Sequence, residues 1–72
     1  MVIKVKPFGM DIVKTSLTEH EKEELGKTLP ELVDREIIEV VDNEHAFMVK
    51  GKQKDLYRLL LAISYHFDIE LL

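Results

Sequence analysis

The sequence predicts an α+β sandwich whose elements follow the order β-α-β-β-α-β, and three observations carry that reading. Val2 to Lys6 alternates apolar and basic residues with a period of two. Thr18 to Val33 opens on a capping box and carries an apolar stripe at helical spacing. Gln53 to Phe67 carries a stronger stripe, with Leu56, Leu59, Leu60, Ile63 and Phe67 at i, i+3, i+4, i+7 and i+11. Strand-like runs at Glu36 to Asp42, His45 to Lys50 and Asp68 to Leu72 complete the order.

Each element has a local cause. In the first strand Ile3 and Val5 point one way, Lys4 and Lys6 the other. Pro7-Phe8-Gly9 punctuates it, because proline presets φ and glycine tolerates a turn. Asp11 to Thr15 reads as the same strand resumed past a bulge or bend, in preference to a hairpin partner. The Thr18 hydroxyl is placed to accept from the Glu21 N–H, and the acids at 19, 21, 23 and 24 sit where the helix dipole favours them. Pro30 presses on the carbonyl of Gly26, so the first helical segment is expected to kink there or divide in two. Ile37, Ile38, Val40 and Val41 are β-branched and suit a strand. Asp42-Asn43-Glu44 reads as a turn. Ala46 to Val49 is apolar on both faces, like a central strand, and Gly51 ends it.

This order is that of the ferredoxin-like superfold. It implies a four-stranded antiparallel sheet with two main helices on one face, because both crossovers are right-handed. Residues 1–72 read as a single domain. Superfolds host unrelated activities, so function has to come from sites.

The composition removes several classes of function. There are no cysteines, which excludes disulfides, thiolate metal sites, iron–sulfur clusters and cysteine nucleophiles. The net charge is −4, so global attraction to nucleic acid or an anionic membrane is not expected. No apolar run approaches the roughly 18 residues that span a bilayer. The alternating start is not a signal-peptide h-region, and a cytoplasmic location is the expectation. A small domain without staples often gains stability by oligomerising, which points to a partner.

Three constellations are candidate sites. Tyr57, Leu61 and Tyr65 fall at i, i+4 and i+8 on the last helix, far round from its core stripe. A helix packed by one face normally shows polar residues on the other. Tyrosine is amphipathic and enriched at interfaces, so this stripe reads as a docking surface. Its structural alternative is a stripe covered by the first helix, or single apolar residues in solvent. Lys50, Gly51, Lys52 and Lys54 open the same helix, where lysines oppose the dipole. Glycine, lysines and free N–H groups together suit an anion, although the spacing is not that of a P-loop. Asp55 supplies the acid that a plain solvated turn would need. Among the histidines, His20 and Glu24 have i, i+4 ligand spacing, but the sequence offers no third ligand, and no metal or cofactor is expected.

No serine–histidine–acid constellation stands out, and two arginines, Arg35 and Arg58, are too few for a phosphoryl-transfer clamp. His45-Ala46-Phe47-Met48-Val49 resembles the third-strand signature of the RNA recognition motif, which has the same topology. The Lys/Arg-Gly start of that signature is replaced by Asn43-Glu44, its late aromatic position holds Lys50, and the first strand has no aromatic. The segment therefore does not place the chain in that family. The sequence predicts a non-enzymatic interaction or regulatory module, a homodimer or a binder of another protein, using the Tyr57/Leu61/Tyr65 stripe and the open sheet face or an edge strand. The alternative is a binder of a phosphate-bearing ligand or nucleic acid through Lys50 to Lys54.

Overall fold

The computed structural model describes residues 1–72. Five strands and two helices follow one another as β1 (Val2–Lys6), β2 (Gly9–Val13), a 3-10 turn (Lys14–Ser16), α1 (Glu19–Asp34), β3 (Ile38–Asp42), β4 (Ala46–Gly51), α2 (Gln53–His66) and β5 (Glu70–Leu71). The strands form one sheet in the order β3-β4-β2-β1-β5. All neighbours are antiparallel except β1 and β5, which are parallel.

The sheet therefore has five strands and is mixed, where the sequence predicts four antiparallel ones. The difference lies in residues 9 to 13. They do not prolong the first strand past a bulge; they fold back on it as β2, pairing Ile3 with Ile12 and Lys6 with Gly9. Pro7 and Phe8 make the two-residue turn. Two-residue hairpins usually need positive φ in the turn, and so advertise themselves by Asn-Gly or Asp-Gly. Here neither turn residue has positive φ. The order β2-α1-β3-β4-α2-β5 keeps the ferredoxin-like arrangement in outline, with β1 as an extra strand between β2 and β5.

Register decides which face is buried. Pairings of Ile3 with Ile12, Ile12 with Phe47, Met10 with Val49 and Val49 with Val40 place these side chains on one face. They join Leu25 and Leu29 of α1 and Leu56, Leu59 and Ile63 of α2 in a single core. Both helices thus cover that face. The opposite face carries Lys4, Lys6, Asp11, Lys50 and Glu39, with half-buried Val13 and Met48 and exposed Val41 among them.

Gly9 is fixed by the close approach of two strands. A Cβ there would lie 2.6 Å from the backbone oxygen of Val49.

α1 begins as its sequence predicts. Thr18 is the N-cap, the Thr18 hydroxyl accepts from the Glu21 N–H at 3.1 Å, and the Glu21 carboxylate accepts from the Thr18 N–H at 2.8 Å. It does not divide at Pro30; one helix of 16 residues runs through it. Pro30 is exposed, as is Gly26, the residue whose carbonyl loses its helical partner there. The helix ends in a Schellman motif: Glu36 N–H donates to the Val33 carbonyl and Ile37 N–H to the Leu32 carbonyl, both at 3.0 Å. Glu36 occupies the left-handed position with φ of 58°. That reversal consumes residues 36 and 37, so β3 begins two residues later than the hydrophobic pattern predicts.

Asn43 closes the β3–β4 turn through its side chain, whose Oδ1 accepts from the His45 and Ala46 N–H groups at 2.9 and 2.8 Å. The Cα radius of gyration, 10.9 Å, is that of a compact chain of this length, about 11 Å. No helix is long and apolar enough to cross a membrane.

Candidate functional site

Apolar exposure is uneven over the surface. Tyr57, Leu61 and Tyr65 on α2 are 62%, 41% and 84% exposed. α1 does not cover them. Asp55, Leu59, Ala62 and His66 mark the side of α2 nearest α1, since they line the clefts between α2 and the start or end of α1. At about 100° per residue the tyrosine stripe lies on the opposite side, turned outward and toward the β1–β5 edge.

That edge is itself apolar. Val5 pairs with Met10 and Leu71 with Ile3, so both point to the helix-covered face, yet both lie beyond the cover of α2 and are exposed, as is Leu72. Five of the nine large apolar residues that are exposed (Tyr57, Leu61, Tyr65, Val5 and Leu71) lie on this flank, while Leu72, opposite Lys4, alternates to the open face. The sequence shows the stripe by its spacing; the extension through Val5 and Leu71 depends on strand order and is not visible in it.

Lys50, Gly51 and Lys52 come together at the start of α2, where they line one cleft that Lys54 does not join. Lys50 projects from the open sheet face, opposite Gly9 and Glu39. Gly51 pairs with Ile38 inside the sheet. Lys52 is the N-cap of α2 and makes no side-chain cap hydrogen bond. Lys50 and Lys52 share a cleft with Glu36, Glu39 and Asp55. Three carboxylates against two ammonium groups leave this cleft acidic on balance.

The histidines separate into two places. His20 and Glu24 of α1 meet His66 of α2 and its C-cap Phe67 across a cleft of about 360 Å³. The His20 ring stands edge-on to Phe67 with centroids 5.6 Å apart. His45 lies in the β3–β4 turn. No three His, Asp or Glu side chains are grouped so as to hold a metal ion.

Glu21 has a structural role. Glu21 is buried, and its carboxyl is held below the ordinary carboxylate value mainly by the Thr18 backbone hydrogen bond, with the Met1 amino group 3.7 Å away adding to it and burial opposing it. Glu21 fastens the start of α1 and is not a free acid or base.

No protein-family model, curated protein or solved structure matches this chain.

Proposed function

We propose that this chain is a non-enzymatic interaction module that self-associates as a dimer through the outer side of α2 and the adjoining β1–β5 edge. The observation that carries the reading is the concentration of exposed apolar side chains there: Tyr57, Leu61 and Tyr65 beside Val5 and Leu71. A stable interface takes about 800 Å² from each partner. Tyr57 and Tyr65 together offer roughly 200–350 Å² at their present exposure, given the area an aromatic side chain buries. A two-fold dimer uses the same patch twice, which a single continuous stripe suits. Tyrosine also keeps its hydroxyl hydrated at the rim while the ring is covered.

The open sheet face supports the reading less well. Lys6 and Asp11 already form an ion pair across it at 2.7 Å, and charged residues surround Met48 and Val41. Removing such charges from water is costly unless each finds a partner. The alternative through Lys50 to Lys54 is opposed by Glu36, Glu39 and Asp55, which repel the phosphate those lysines would bind.

Amide chemical shifts recorded over a concentration series, at low and high salt, test the proposal. The expected changes are confined to residues 57 to 65 and the β1–β5 edge, and they persist in salt because apolar burial is not screened. Changes confined to residues 50 to 55 on adding inorganic phosphate, and abolished by salt, would overturn it in favour of the alternative.

A further inference from the structure

Val5 and Leu71 face the helix layer with no helix above them. Their pairing with Met10 and Ile3 puts both side chains on the side of the sheet that α1 and α2 cover. α1 packs against β3, and α2 against β2 and β4. The cover ends over β1. Ile3 is fully buried, whereas Val5 further along that strand and Leu71 on β5 are 54% and 50% exposed. β5 is two strands from β2, about 10 Å, and packed helices lie about 8–10 Å apart. A helix above β5 would therefore touch both the sheet edge and the flank of α2.

α2 itself has the surface that such a helix needs. At about 100° per residue, its Tyr57/Leu61/Tyr65 stripe lies about 150° round from its core stripe. A helix that rests on its own sheet by one stripe thus presents the other to a sheet above it. The spacing along the elements agrees as well. Tyr57 and Leu61 are about 6 Å apart along the helix axis. Val5 and Leu71, which sits beside Ile3, are about 6.6 Å apart along the strands.

With the self-association proposed above as its basis, we propose that each copy's α2 seats over β1 and β5 of the other copy, so that helix stripe meets sheet edge and not helix stripe. The helix layers of the two copies face each other around a two-fold axis that runs along the helices. That axis exchanges the two lanes and leaves positions along the strands unchanged. Lys50 pairs with Gly9, and Gly9 with Lys6, so α2 starts at the Lys6 end of β1. Tyr57 then falls on Val5 of the second copy, and Leu61 on Leu71. Stripe against stripe would leave Val5 and Leu71 in water. Seating over the edge also removes their exposed area, roughly 60–120 Å² per copy, toward the 800 Å² or so that a stable interface takes from each partner. A helix from another protein would cover the edge and leave this chain's own stripe wet, whereas a second copy covers both at once.

The test is the solution mass, by light scattering at low salt, of wild type, Leu61→Asp, Leu71→Lys and an equimolar mixture of the two variants, each checked for folding by circular dichroism. Each variant alone is expected at the single-chain mass. The mixture should recover the dimer, with a Kd at least tenfold below that of either variant alone. In the mixed dimer one contact sets the new carboxylate against the new ammonium, and the other contact is wild type. Tyr57→Asp with Val5→Lys repeats the test at the neighbouring contact if either first variant fails to fold. A dimeric wild type whose variants are not rescued by mixing would overturn the seating and leave self-association standing. So would a Leu71→Lys protein that dimerises as well as wild type. A wild type at the single-chain mass throughout would overturn both, leaving the edge to a helix of another protein.

Discussion

Glu36 occupies a backbone position that sterics assign to glycine. Its φ of 58° lies in the left-handed region, where Cβ crowds the following carbonyl at about 1–2 kcal/mol. The position is fixed by the Schellman bonds from Glu36 to Val33 and from Ile37 to Leu32, which turn the chain from α1 into β3. Glu36→Gly removes the crowding but admits more unfolded conformations, which offsets about 0.5–1 kcal/mol. The net expectation is about 0.5–1 kcal/mol of added stability, or roughly 2–8 °C in Tm for a domain of this size. The substitution also removes a carboxylate from the cleft that holds Glu39 and Asp55. Glu36→Ala separates the two effects, because alanine loses the charge and keeps the crowded Cβ. Urea denaturation of both variants at neutral pH is the assay. A Glu36→Gly protein no more stable than wild type would refute the conformational argument, and so would an alanine variant stabilised to the same extent.

Other substitutions probe the remaining features. Gly9→Ala drives a methyl group to 2.6 Å from the Val49 oxygen, and should cost about 1–3 kcal/mol in the same assay, as overpacking does. Lys52→Ser gives α2 the side-chain cap it lacks and should stabilise by about 1 kcal/mol, read from the denaturation midpoint. Glu21 has a folded pKa below its unfolded one, so its contribution is full above the unfolded value and is lost as pH falls through the folded value. Stability measured by thermal melts should therefore decline on the acid side, and Glu21→Gln should flatten that decline.

The parts of the fold that were legible in the sequence are those with local causes. The capping box of Thr18 and Glu21, the α2 core stripe and the Asn43 turn each need only a few neighbouring residues. β2 was not legible, because Pro7-Phe8 turns the chain without the positive φ that marks most two-residue hairpins, and Gly9 serves a contact with Val49 that only the pairing with β4 creates. Pro30 does not divide α1, which runs through it as one helix. The α2 stripe could be read from spacing alone. Its continuation onto Val5 and Leu71 could not, because it depends on which strands end at the sheet edges. Lys50 and Lys52 share a cleft, as their spacing suggests, but the Glu36 and Glu39 that line it with them come from the α1–β3 junction, far away in sequence, so its charge balance was not legible.

The central claim is that the outer side of α2 holds two copies together. Light scattering across a concentration range, on wild type and on Leu61→Asp, tests it most directly. The account predicts a wild-type mass near twice that of the 8.4 kDa chain, and a folded Leu61→Asp protein at the single-chain mass. A wild type that stays at the single-chain mass at every concentration, or a Leu61→Asp variant that still forms the dimer, would contradict it.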